Sequence, residues 1–108
     1  MTPIIRPTND KAFVENIIIQ NMSAYYEQLD MRWDTALFDK QWNELDSYEL
    51  VINASPVGLL CINHDEAAYY IRELQIDHMW RRQGLGTAAI RYTEEIAQQS
   101  GIRLLRLR

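Results

Sequence analysis

Apolar positions first appear in a short β-branched burst, Pro3-Ile4-Ile5-Arg6, closed by Pro7. This predicts an opening edge strand, since proline cannot donate to a sheet ladder. Thr8-Asn9-Asp10 then offers N-cap side chains for a helix. Phe13, Val14, Ile17, Ile18, Met22 and Tyr25 recur at helical spacing, which predicts a helix with one broad buried face, ending near Leu29. A second helix is predicted from Asp34, an N-cap residue, to Leu45, with Phe38, Trp42 and Leu45 on its apolar side and Leu37 beside them. Between the helices, Tyr25 to Trp33 mixes aromatics with acids and one arginine. That composition fits either a helix connection with its rings tucked onto the core or a lip facing a substrate.

The period changes at Tyr48. Tyr48–Asn53 and the almost wholly apolar Val57–Ile62 read as two strands joined through Ala54-Ser55-Pro56, a hairpin. His64-Asp65-Glu66 is a turn, and Ala67–Asp77 a long third strand. Simple alternation puts Tyr70, Arg72, Leu74 and Ile76 on one face of that strand and Ile71, Glu73 and Gln75 on the other. A helix is predicted over Leu85–Gln99, with Leu85, Ala88, Ala89, Tyr92, Ile96 and Ala97 along one stripe and Ser100-Gly101 as its stop. Ile102–Leu107 is the last strand. The order β–α–α–β–β–β–α–β describes an α/β chain with a mixed sheet. It forms a single domain over residues 1–108, with one parallel pair made by the strand–helix–strand crossover.

Composition narrows the function classes. The 108 residues carry a formal net charge of −4, so no overall basic field favours nucleic acid or an anionic membrane. No apolar run is long enough to span a bilayer, and the N-terminus lacks signal-peptide architecture. A single cysteine, Cys61, rules out an internal disulfide framework and fits a reducing cytoplasm. Its apolar neighbours, Leu59, Leu60 and Ile62, mark it as a small core residue rather than a nucleophile. His64 and His78 sit in turns without the spaced ligands of a metal site, so no metal is expected.

The stretch that carries chemistry is Arg81–Ala89, Arg-Arg-Gln-Gly-Leu-Gly-Thr-Ala-Ala. A glycine loop opening a helix presents unpaired N–H groups and the positive end of the helix dipole, which suits phosphate. Glycine removes the Cβ that would keep an anion off the main chain. Gly84-Leu85-Gly86-Thr87-Ala88-Ala89 matches the G-x-G-x-x-A form of the dinucleotide fingerprint. Against that reading, Asp77–Arg82 separates the glycines from the strand. Arg106 also stands about where an acid should meet the ribose, and antiparallel strands precede the unit. No G-x-x-x-x-G-K-[ST] sequence occurs.

Arg81-Arg82-Gln83-Gly84-Leu85-Gly86 resembles the [R/Q]-x-x-G-x-[G/A] motif of the GNAT superfamily of N-acetyltransferases. Leu74-Gln75-Ile76-Asp77-His78-Met79-Trp80 is similar to that family's Leu-x-Val-x-Pro-x-Tyr approach, with His78 in the proline's place. The element order agrees with the family's first five strands. The resemblance implies an acyltransferase that moves acetyl from acetyl-CoA directly to the amine of a small molecule or peptide. By the same resemblance, Arg82, Gln83, Gly84, Leu85, Gly86 and Thr87 hold the CoA pyrophosphate, with Arg81 adding charge. Backbone groups of Leu74, Gln75 and Ile76 pair with the pantetheine arm, a strand N–H stabilises the oxyanion, and Glu73 is the general base. Glu73 is also consistent with a surface or ion-paired strand residue. Glu27, Asp30 and Asp34 with the Tyr25–Trp33 aromatics suit a cationic acceptor.

Family members normally continue with another helix and two strands beyond the fifth, and that helix supplies a tyrosine general acid. Relative to that pattern this chain reads as truncated, which leaves a non-catalytic acyl-CoA-binding or interaction module as the alternative function and a dinucleotide-binding protein as a further one. An apolar last strand with one unpaired edge predicts a homodimer or larger assembly through Ile102–Leu107. Light scattering checks this: a dimer or larger species is expected, and a monomer at working concentrations counts against it.

Overall fold

The computed structural model describes residues 2–107; Met1 and Arg108, the two ends of the domain expected over 1–108, lie outside the described residues. The elements run β1 (Ile4–Pro7), α1 (Lys11–Gln28), α2 (Thr35–Trp42), β2 (Asp46–Ile52), β3 (Ser55–His64), β4 (Ala68–Ile76), a 3-10 turn (His78–Trp80), α3 (Leu85–Gln99) and β5 (Leu104–Leu107). They form one five-stranded sheet in sequence order, antiparallel except for the parallel β4–β5 pair.

Each face of the sheet has its own core. On one, α1 and α2 bring Val14, Ile17, Ile18 and Phe38 onto Leu59 and Cys61. On the other, α3 lays Leu85, Ala89 and Ala97 against Leu50, Leu60, Ile62, Tyr69 and Ile71. Because β3 is covered on both sides, Val57 to Ile62 is buried throughout, and the apolar run needs no alternation. Each fully buried leucine here contributes roughly 1.5–3 kcal/mol through area removed from water. Thr93 was absent from the expected α3 stripe, yet it is fully buried; its hydroxyl donates to the Ala89 carbonyl at 2.9 Å and so enters the core satisfied. Tyr25, expected on the buried side of α1, is half exposed at the end of that helix.

At two boundaries the structure departs from the periodic reading for a local reason. Helix α2 ends at Trp42, where Asn43 caps it, rather than at Leu45. The β2–β3 turn is Asn53-Ala54, both at positive φ (50° and 66°), rather than Ala54-Ser55-Pro56. Two left-handed residues make the tight hairpin turn that matches strand twist, so pairing resumes at Ser55. Pro56 is then accommodated beside a bulge, because Val51 pairs Pro56 while Leu50 pairs Gly58.

A second bulge corrects the expected faces of β4. Cys61 pairs Glu73, but Ile62 pairs Ile71, so Arg72 is an extra residue in β4. Beyond it the alternation is shifted by one. Tyr69, Ile71, Leu74 and Ile76 all pack with the α3-side core, so Ile71 belongs with Leu74 and Ile76 rather than opposite them. Glu73, opposite Cys61, is left on the α1–α2 side.

Gly58 lies where β3 and β4 approach closely beneath Ile76. A Cβ there would meet Ile76 Cδ1 at 3.0 Å, the Gln75 carbonyl oxygen at 3.2 Å and Leu50 Cβ at 3.3 Å. Two of these three atoms belong to the rigid part of the sheet, so Gly58→Ala is expected to destabilise by about 1–3 kcal/mol in urea unfolding. An unchanged midpoint would show that β4 can move away at this point.

Candidate functional site

The three helices begin differently. Asp10 caps α1 by accepting from the Phe13 N–H at 3.0 Å, and Asp34 caps α2 by accepting from the Leu37 N–H at 2.9 Å. Helix α3 begins at Gly84, in the left-handed region at φ 79°, with no side-chain cap. The amides of its first turn, at Leu85, Gly86 and Thr87, therefore point out of the helix without an intrahelical or capping acceptor. Both α1 and α2 place a carboxylate where the dipole favours negative charge, and α3 leaves that position open.

The loop before it is built to hold this end open. Asp77 accepts from the Met79 N–H at 3.0 Å and sets the 3-10 turn His78–Trp80, while Trp80 packs against the α3-side core. Arg82 takes φ 65°, an uncommon conformation for a residue with a Cβ. Arg81, Arg82, Gln83, Gly84 and Thr87 are exposed, Leu85 is buried as the anchor, and Gly86 is half-buried. A Cβ on Gly84 would meet nothing within 4 Å, whereas one on Gly86 would reach Leu74 Cδ2 at 4.0 Å. The loop thus lies open on one side and against β4 on the other. Space, donors and two guanidinium groups fit an anionic phosphate.

β4 supplies the second part. It pairs with β5 only over Ala68–Ile71, so Glu73–Ile76 has a strand partner on the β3 side alone among the described residues. One backbone group there is already engaged. The Ile76 carbonyl accepts from Asn21 Nδ2 at 3.0 Å and, at the outer limit, from Arg81 Nε at 3.5 Å. Asn21 also donates to Gln75 Oε1 at 3.1 Å, and Gln75 Nε2 donates to Glu73 Oε2 at 3.0 Å. This series runs from α1 through Gln75 to the Glu73 carboxylate and orients it. Asn21 was not singled out in the sequence. The available signal was a polar residue at helical spacing from Ile17 and Ile18, on the side of α1 that is otherwise buried.

The third part is a pocket of about 210 Å³ between α1, α2 and the sheet, with Glu73 and Cys61 among its lining residues. Tyr26, Trp33, Phe38 and Trp42 wall it, and Arg32 and Asp34 also line it. Of the Tyr25–Trp33 stretch, Tyr26, Met31, Arg32 and Trp33 line this cavity beside Glu73, and Trp33 also packs onto the α1–α2 core, so both readings of the stretch hold in part of it. Its acids divide. Asp34 lines the same pocket but is committed to capping α2, and Glu27 and Asp30 border a neighbouring depression. Burial, with a smaller contribution from Glu73, pushes the Cys61 thiol up to about 11 against the lowering hydrogen bond from Ser47, so it stays protonated at neutral pH. Among the described residues no group of three or more His, Cys, Asp or Glu side chains is placed to hold a metal, and no helix is long and apolar enough to cross a membrane.

Comparison with known proteins bears on the family and the fold. The family model described as "Acetyltransferase (GNAT) family" matches residues 14–108. No curated protein matches the sequence. Among solved structures, a possible acetyltransferase from Clostridium difficile 630 superposes with a TM-score of 0.77 at 14% identity, covering 100% of this chain and 80% of that one. An aminoglycoside acetyltransferase from an uncultured soil metagenomic sample, in complex with sisomicin, gives a TM-score of 0.70 at 20% identity, covering 98% and 76%. A GNAT family acetyltransferase from Elizabethkingia anophelis with acetyl-CoA bound gives 0.70 at 14% identity, covering 94% and 61%. At these identities the likeness is one of fold.

The two glycines of the loop are expected to respond differently to a methyl group. Gly84→Ala forces a Cβ into the left-handed region and should cost about 1–2 kcal/mol in denaturant unfolding. Gly86→Ala meets only ordinary van der Waals contact and should change stability by less than about 0.5 kcal/mol. Equal effects would contradict the conformational difference.

Proposed function

The chain belongs to the acetyltransferase (GNAT) family, and on that premise we propose that it transfers an acetyl group from acetyl-CoA to the nitrogen of an amine. The observation that carries this is the uncapped, glycine-led start of α3 lying against the one-sided stretch of β4, with Glu73 facing a cavity on the other side of the sheet. A fold relative with acetyl-CoA bound and another in complex with an aminoglycoside support the donor and a small-molecule acceptor.

Acetyl-CoA, when bound, supplies an activated thioester carbonyl. The amides at Gly84, Leu85, Gly86 and Thr87 hold its pyrophosphate, with Arg82 and Gln83 in the loop and Arg81 adding charge. Of Leu74, Gln75 and Ile76, the residues expected to offer main-chain groups to the pantetheine arm, Gln75 turns its own to β3, because the Asp77 N–H two residues on donates to the Val57 carbonyl and alternate residues face the same neighbour. The Ile76 carbonyl is already shared with Asn21, so the Leu74 groups and the Ile76 N–H carry most of that pairing. A β4 N–H directed at the carbonyl oxygen stabilises the charge that develops there. Glu73, oriented by Gln75, accepts the proton of the attacking amine directly or through water. The N–C bond forms, the C–S bond breaks, and the proton given up by nitrogen ends on the thiol.

Thermal shift and thiol release test this together. Acetyl-CoA is expected to raise the unfolding temperature while NAD leaves it unchanged, and thiol release should require an amine. Glu73→Gln is expected to lower kcat by about 10²–10⁴-fold while keeping the acetyl-CoA shift. Stabilisation by NAD instead would return the loop to the dinucleotide reading. Stabilisation by acetyl-CoA without thiol release for any amine would leave a binding module.

A further inference from the structure

Strict alternation would turn Arg72 and Glu73, neighbours in sequence, to opposite faces of β4. The bulge instead sets both against one depression of about 260 Å³, which Gln41, Glu44 and Leu45 also line. Two opposite charges thus face the same space, yet among the described residues Arg72 forms no ion pair with Glu73 or Glu44. Asp65, which shares a further depression with Arg72, is already taken up by the Ala67 and Ala68 N–H groups and the Tyr70 hydroxyl. Glu73 has Oε2 held by Gln75 Nε2 at 3.0 Å, which leaves Oε1 open. An oriented carboxylate and an open guanidinium stand side by side.

Glu73 also borders the 210 Å³ pocket, whose rings touch in series: Tyr26–Trp33, Trp33–Phe38 and Phe38–Trp42, with centroids 6.2, 5.6 and 5.9 Å apart. Phe38 is buried and Trp33 Nε1 donates to Glu15 Oε2 at 2.7 Å, so these walls are set before a ligand enters. The two spaces share Gln41, Leu45 and Glu73, so a nitrogen held at Glu73 lies on their common border. The carbon bearing that nitrogen can send one substituent toward Arg72 and another between the rings. Arg72 offers a fork of N–H donors that matches a carboxylate, and the rings offer only apolar contact. Glu44 is a second carboxylate on the polar side, so an arriving ammonium is met by two acids. Of the other charged lining residues, Asp34 caps α2, and Arg32 also borders the depression that holds Glu27 and Asp30.

From this we infer that the acceptor is a free α-amino acid with an aromatic or branched apolar side chain, recognised as a zwitterion. Its nitrogen is held at Glu73 and Glu44, its carboxylate by the Arg72 guanidinium, and its side chain among Trp33, Phe38 and Trp42. A pocket of about 210 Å³ falls below the roughly 300–1,000 Å³ of drug-sized sites, which suits one ring or one branched chain. An amine lacking the carboxylate leaves the Arg72 charge unpaired beside the arriving ammonium, and a polycation adds to that repulsion. The inference names the substrate class of this site and rests on its acyl-transfer reading.

Calorimetric titration of the full chain without acetyl-CoA compares L-phenylalanine and L-leucine with L-phenylalaninamide, phenethylamine, spermidine and kanamycin. L-Phenylalanine is expected to bind at least about tenfold more tightly than its amide, which differs only at the carboxylate. Arg72→Gln should weaken L-phenylalanine about tenfold and leave phenethylamine within about twofold, while Glu44→Gln weakens both alike. If Arg72→Gln unfolds more easily, Arg72→Lys takes its place; it keeps the charge without the fork and should weaken L-phenylalanine about threefold. Binding of the amide, phenethylamine, spermidine or kanamycin as tight as that of L-phenylalanine overturns the inference. So does no binding of any of these compounds, or an unchanged L-phenylalanine constant in the Arg72 variant. Thiol release with phenethylamine or kanamycin but not with L-phenylalanine would overturn it and leave acyl transfer standing. Arg72-dependent binding of L-phenylalanine without thiol release would support the recognition and overturn acyl transfer.

Discussion

The bulge at Arg72 is the constraint on which the rest of the site depends. An antiparallel strand shows alternate residues to alternate faces, and an extra residue shifts every side chain beyond it by one. Before the bulge, Tyr69 and Ile71 pack toward α3; after it, Leu74 and Ile76 do. A carboxylate mid-strand is thereby kept out of the apolar α3-side core. Glu73 instead meets Cys61 across the ladder and looks into the space under α1 and α2. Without the extra residue, Leu74 and Ile76 would lose the packing that ties β4 to α3.

The end of β4 is supported from outside the sheet. A strand whose last residues have a partner on one side leaves backbone groups to be satisfied elsewhere. Asn21 does this from α1, donating to the Ile76 carbonyl and to Gln75, whose own amide holds Glu73. One amide side chain thus links the position of a helix, the free edge of a strand and the orientation of the proposed base. The far side of the strand is supported through Leu74, which lies near the Gly86 backbone.

Helix capping separates α1 and α2, closed by carboxylates, from α3, which starts without a side-chain cap. Asp10 and Asp34 close α1 and α2, and in doing so remove Asp34 from the set of acids free to bind a cation. Gly84 opens α3 with no side chain at all, and the amides behind it stay available to an anion. Negative charge is therefore used as a cap on the α1–α2 side of the sheet and is absent from the start of α3.

The one-dimensional pattern was sufficient for element order, the two helical faces, the mixed sheet, and the loop Arg81–Thr87 with its likeness to one enzyme family. These are local or periodic properties: spacing of apolar residues, capping residues, two glycines before a helix. What it could not carry was anything decided by a partner far along the chain. The bulge at Arg72 exists because Ile62 and Cys61 choose Ile71 and Glu73 across the ladder, and period two in β4 alone has no record of that. Asn21 lies 54 residues from Gln75 and reads in isolation as one polar position on a helix. The sequence by itself determined which elements form and where a glycine-led, uncapped helix start lies. Only the tertiary structure decided which face Glu73 takes and what surrounds it, because those depend on register and on contacts between residues with no periodic relation to one another.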